Sequence, residues 1–83
     1  GNMRPILYCR NLSFRSSPRV VGSNHLKMAV CGDGIVMDAI AFNNGHRADE
    51  LRTSSLVSLA FSLDENEWNG RKTLQMNIKG IAV

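Results

Sequence analysis

The chain has 83 residues, 43% of them hydrophobic and 20% charged, with a formal net charge of +3. That is enough for one small domain with a single modest core and too little for two. The composition argues against disorder, no apolar stretch approaches the ~20 residues of a membrane span, and the N-terminus lacks a signal-peptide layout.

Ile6–Phe14 reads as a first strand, with Pro5 at its start, where a missing N–H costs little. Ser16-Ser17-Pro18 is expected to interrupt this extended segment, and Gly22-Ser23-Asn24 to turn the chain into a second strand. There Leu26, Met28 and Val30 alternate with His25, Lys27 and Ala29, the mark of a half-buried strand. Gly32-Asp33-Gly34 supplies positive-φ residues for a tight hairpin. Ile35–Phe42 is apolar on both parities apart from Asp38, as in a central or strongly curved strand, so Phe42 is expected in the core.

Asn44–Arg52 breaks the alternation. It holds helix formers, acids followed by Arg52 and an Asn cap candidate, which predicts a short helix. A fourth strand follows, with Val57, Leu59, Phe61 and Leu63 on one face and Ser58, Ala60 and Ser62 on the other. Phe61 falls on its core parity. Asn69-Gly70 is the strongest hairpin signal in the chain, because a type I′ turn needs φ > 0 at both central residues. The last strand alternates Leu74, Met76 and Ile78 with Thr73, Gln75, Asn77 and Lys79.

The order is β-β-β-α-β-β, all-β with one short helix. It matches a five-stranded antiparallel OB-fold barrel filling residues 1–83. Strand order cannot be read from alternation, so an SH3-like barrel or an open α+β sheet stands as the alternative.

Cys9 and Cys31 sit in apolar runs 22 residues apart and form no CxxC pair. One possible bridge is a poor disulfide framework, so two reduced, half-buried thiols in a cytoplasmic protein are expected. His25 and His46 have no ligand spacing to either cysteine, and no metal site is predicted. His25 is expected to decorate a strand start. His46, Asp49 and Glu50 imitate an acid/base cluster, but a solvated helix face accounts for them, and no nucleophile completes a free-standing enzyme.

Charge is uneven along the chain. Residues 1–32 carry Arg4, Arg10, Arg15, Arg19 and Lys27 and no acid; residues 33–70 hold all seven acids; Arg71, Lys72 and Lys79 follow. Were the two ends of the chain to pair as neighbouring strands, eight cations would gather in one region. That is the electrostatic footprint of a phosphate-binding surface, although a solvated basic edge gives the same count.

Three motifs carry a family resemblance. Gly22–Lys27 (GSNHLK), Met37–Asn43 (MDAIAFN) and Asn66–Ile78 (NEWNGRKTLQMNI) resemble the OB domain of RecJ-type single-strand-specific DNA exonucleases, and Gly1-Asn2…Pro5 resembles the segment preceding it. The resemblance implies a piece of a larger 5′-to-3′ exonuclease of DNA repair and recombination. It also implies a catalytic core elsewhere, built on aspartate and histidine around manganese or magnesium, and no catalytic residue or cofactor in this chain. Two positions depart from the pattern: Gly80 stands where the family usually has an acid, and Ser54-Ser55 where it usually has a Gly.

Single-strand binding needs cations along a groove and flat side chains on which bases stack. Trp68, just before the Asn69-Gly70 turn, is the best stacking candidate, with Arg71 and Lys72 next to it; Asp64, Glu65 and Glu67 on the incoming arm oppose a phosphate there. Tyr8 shares a strand parity with Arg10 and could lie beside it on an exposed face, but its pattern fits a core tyrosine with its hydroxyl at the rim better. Lys27, Gln75, Asn77 and Lys79 project from the non-core parity of their strands, and Arg15 and Arg19 flank the Ser-Ser-Pro break. The implied partners are single-stranded DNA and the catalytic domains of the parent chain, with no membrane. The rival reading is a structural or docking domain that touches DNA little.

Overall fold

In the computed structural model, which describes residues 4–83, the alternating runs become five strands. These are β1 (Leu7–Val21), β2 (His25–Gly32), β3 (Ile35–Ala41), β4 (Leu56–Trp68) and β5 (Arg71–Ala82), with a 3-10 turn Gly45–Arg47 leading into α1 (Ala48–Arg52) between β3 and β4. The strands close into a barrel in the order β1-β2-β3-β5-β4. The expected element order and OB-type architecture are therefore observed.

Strand directions need one correction. A ring of five strands cannot alternate all the way round, so one neighbouring pair must run parallel. That pair is β3 with β5, through Asp38↔Gln75, Ala39↔Met76 and Ile40↔Asn77; the other four pairings are antiparallel.

The Ser16-Ser17-Pro18 break expected from sequence does not end β1, which runs through it for 15 residues. Its first half pairs with β4 and its second half with β2, with Ser13 on both ladders. Turning from one partner to the other uses register shifts at Cys9/Leu12, Phe14/Ser16 and Ser16/Arg19, each with an extra residue on β1. Such bulges bend a strand and tighten its twist, as a small barrel requires. Serine hydroxyls mend two of the disrupted ladders: Ser58 Oγ accepts from the Asn11 N–H at 3.3 Å, and Ser16 Oγ from the Ala29 N–H at 3.1 Å. Pro18, which has no N–H to pair, is buried at the third shift.

The two-residue turns form where Asp33-Gly34 and Asn69-Gly70 predict them, with positive φ at all four residues. The helix is shorter than the expected Asn44–Arg52, and Asn44 does not cap it; the Asn44 amide donates instead to the Phe42 carbonyl at 2.7 Å. Ala48 and Leu51 project from α1 into the cluster formed by Leu26, Met28, Val57, Leu59 and Phe61, closing one end of the barrel. Two arginines tie this plug down: Arg52 Nε donates to the Pro18 carbonyl at 3.0 Å and Arg47 Nη1 to the Ile81 carbonyl at 3.1 Å. Each large apolar side chain buried here contributes about 1.5–3 kcal/mol.

Phe42 is not in the core. It lies past the end of β3, 48% exposed, edge-on to His25 with ring centroids 5.2 Å apart. Ile35 and Val36 at the start of β3 are exposed as well. The apolar run on both parities therefore reflects a strand that begins outside the core and a chain that leaves it just past Ala41, with Ala39 and Ala41 inside the barrel.

Candidate nucleic-acid interface

The closed barrel turns the non-core parity of every strand into one continuous outer surface. Cross-strand partners share a face, so the register places Arg19 beside Lys27, Lys27 beside Ile40 and Ile40 beside Asn77. One row on, Asp38 lies beside Gln75 and Gln75 beside Asp64. Lys27, Gln75 and Asn77 are thus brought together across β2, β3 and β5, as their parity predicts, but around two carboxylates.

Asp64 is held. Arg4 ion-pairs with it and also donates to the Leu63 carbonyl at 3.2 Å. The Asn77 amide donates to its other oxygen at 3.2 Å, while the Asn66 amide donates to Gln75 Oε1 at 3.4 Å. Arg4, Asp64, Asn66 and Asn77 line a groove of about 620 Å³ with Ile6, Ser62, Glu65 and Lys79. Sequence reasoning missed Arg4 and Asp64 as parts of this face, because residues 60 positions apart leave no local signal of contact.

The two ends of the chain do not pair. β4 lies between β1 and β5, so the cations spread around the barrel instead of filling one patch. Arg10, Arg15 and Arg19 are exposed along β1, with Arg15 inside the Phe14/Ser16 register shift. Trp68 is 77% exposed at the tip of the β4–β5 hairpin, directly opposite Arg71. Lys72 stands opposite Glu67 and reaches Glu65 at 3.5 Å, so its charge is already engaged.

Tyr8 corrects the expectation of a core side chain: it is 77% exposed. On the outer surface it lies opposite Ala60, which in turn lies opposite Gly80. With Arg10, Ser58 and Ala82 these residues line a groove of about 360 Å³. The third concavity, about 540 Å³, is the barrel mouth opposite α1, where Leu7, Leu12, Ile35, Phe61 and Met76 meet Arg10 and Asp33.

The sequence matches the RecJ OB domain over residues 1–80. The chain belongs to the RecJ OB-domain family. It is 34% identical over 67 residues to the single-stranded-DNA-specific exonuclease RecJ of Bacillus subtilis, covering 78% of this chain and 8% of that protein. It is 40% identical over 73 residues to the RecJ of Escherichia coli, covering 76% of this chain and 11% of that protein. This RecJ OB domain therefore spans about a tenth of the length of the curated relatives it matches. Its fold is also that of the SSB domain of a Synechococcus protein, with a TM-score of 0.59 at 19% identity, over 98% of this chain and 96% of the other.

Among the described residues of the RecJ OB domain, no three His, Cys, Asp or Glu side chains gather as metal ligands. His46, Asp49 and Glu50 lie exposed on the helical segment, where Asp49 and Glu50 pair with Arg52 and Arg47. Cys9 and Cys31 are free and half-buried. No helix among the described residues is long and apolar enough to cross a membrane. Gly1 and Asn2, which carry part of the N-terminal resemblance, lie outside the described residues.

Proposed function

We propose that this domain binds single-stranded DNA on its outer surface, as the accessory domain of a RecJ-like 5′-to-3′ exonuclease of DNA repair and recombination. One observation carries the reading. Of the ten Lys and Arg residues, Arg4, Arg47, Arg52 and Lys72 are paired with acids among the described residues. Arg10, Arg15, Arg19, Lys27, Arg71 and Lys79 are not, and all six lie on strands. Unpaired cations on a folded surface are available to phosphates, and release of DNA counterions supplies most of the affinity of such surfaces. Exposed Tyr8 and Trp68 add stacking, and Gln75 and Asn77 add amide donors on the β5 face. Hydrolysis, with its manganese or magnesium, is assigned to the catalytic domains of the parent chain.

Titration of a labelled single-stranded oligonucleotide by fluorescence anisotropy, repeated at rising salt, tests this. Saturable binding whose log affinity falls linearly with log salt, by ~0.7 per phosphate contact, is the expected result. No binding at ~0.1 mM protein, the weak end of non-specific affinity, overturns it.

A second reading rests on the barrel mouth. Its apolar lining and the exposure of Leu7 and Ile35 at its rim suit a docking surface for the parent's catalytic domains. Such a domain would fail the titration in isolation and still be required for the parent's assembly.

A further inference from the structure

The three grooves differ in what they offer a polyanion. The 620 Å³ groove contains Asp64 and Glu65, and the barrel mouth contains Asp33. The 360 Å³ groove beside Tyr8 has no carboxylate in its lining, and Tyr8 and Arg10 form the ridge between it and the barrel mouth. This groove has an aromatic ring standing largely in water and, two residues on, an arginine with no acid partner among the described residues. Tyr8 also has no aromatic neighbour, since His25–Phe42 is the ring pair found among those residues.

We propose that the preference of this domain for single strands resides in this groove, which seats one unpaired base against Tyr8 with its phosphate on Arg10. The inference rests on the DNA-binding reading above and goes further by separating two kinds of contact. Phosphates reach Arg19, Lys27 and Lys79 from a single strand or a duplex alike, because the backbone lies outside in both. A ring face is different. In a duplex both faces of each base are stacked on neighbours, so only an unpaired base has one free for Tyr8.

The surroundings of Tyr8 admit such a base. The ring has Ala60 directly across and Gly80 beyond it, so the surface beside it falls to a methyl group and a hydrogen. Ser58, opposite Ala82, continues this low floor, and its hydroxyl oxygen accepts from the Asn11 N–H. A partner lying here meets an apolar floor, one aromatic wall and one cation, which is the chemistry of a base and its phosphate.

The test compares a labelled oligothymidine with a hairpin duplex of equal charge, on this chain and its variants, by anisotropy at several salt concentrations. Tyr8→Ala is expected to weaken single-strand binding about five- to 150-fold while leaving its salt slope and the duplex affinity unchanged. Tyr8→Phe is expected to bind like the parent sequence. Gly80→Leu is expected to reproduce the Tyr8→Ala loss by filling the groove; a Cβ at Gly80 meets Ala60 at an ordinary 3.5 Å, so the barrel tolerates it. Lys27→Gln is expected to weaken both DNAs and to lower the single-strand slope by ~0.7.

Equal loss on both DNAs from Tyr8→Ala, or no loss, overturns the proposal and leaves the groove to a protein partner. So does a loss of preference caused by Trp68→Ala in its place. If the parent sequence binds neither DNA, the DNA-binding reading itself falls; if it binds and Tyr8→Ala changes nothing, only the assignment to this groove falls.

Discussion

Arg19 stands directly opposite Lys27 on the β1–β2 ladder, and neither has an acid within ion-pair distance among the described residues. Like charges facing each other across strands destabilise a sheet. An uncompensated pair of this kind makes sense where a polyanion supplies the missing charge. Replacing Lys27 with Gln should therefore stabilise the domain by about 0.2–1 kcal/mol in denaturant unfolding while weakening DNA binding. A variant that loses both stability and affinity would mean that the Lys27 side chain is needed for packing.

The two ends of the barrel should respond differently to truncation. Leu51 is fully buried where α1 closes the barrel, so Leu51→Ala should cost about 2–5 kcal/mol. Leu74 has the sequence parity of the core residues Met76 and Ile78, yet it is half exposed on the arm that runs past the barrel. Leu74→Ala should change stability by no more than about 0.5 kcal/mol. Paired urea titrations check both, and a large loss at Leu74 would mean that the arm packs on the barrel in solution.

Gly45 is a close-approach position. A Cβ there would lie 2.8 Å from the Asn24 side-chain oxygen and 3.1 Å from its backbone carbonyl carbon, while the Gly45 N–H already donates to the Asn24 carbonyl at 3.0 Å. Gly45→Ala should cost about 1–3 kcal/mol by overpacking, visible as a lower Tm. An unchanged Tm would show that the β1–β2 turn moves freely relative to the helical segment.

Trp68 makes a cleaner functional probe than its size suggests. With most of its surface exposed at the hairpin tip, Trp68→Ala should leave stability within about 0.5 kcal/mol of the parent. Any loss of DNA affinity in that variant is then a loss of contact, not of fold. Thermal unfolding of the variant settles which applies.

Much of the architecture was legible in the sequence. Leu26, Met28 and Val30, and Val57, Leu59 and Phe61, point inward as their alternation predicts, and Asp33-Gly34 and Asn69-Gly70 make the expected turns. Parity misled at Leu74, whose inward parity meets no opposite wall because it sits on an arm that runs past the barrel. Phe42 follows β3 on the outward parity of Asp38 and Ile40, so its apolar side chain was no sign of burial. Tyr8 has the outward parity it shares with Arg10, which the sequence could allow but could not choose over a core position. The Ser16-Ser17-Pro18 break was a true local signal with a different consequence, a bulged bend in place of an end.

The candidate site divides along the same line. Alternation and turn chemistry depend on neighbouring residues, so the sequence alone determined the number of strands, the hairpins and the outward parity of Lys27, Gln75 and Asn77. Barrel closure decided the rest. The strand order β1-β2-β3-β5-β4 sets β3 against β5, places β4 between the two cationic ends of the chain, and brings Arg4 to Asp64 across 60 positions. It also lays Ala60 and Gly80 beside Tyr8. Such contacts follow from which strands become neighbours, a property of the whole ring that no short stretch of sequence encodes.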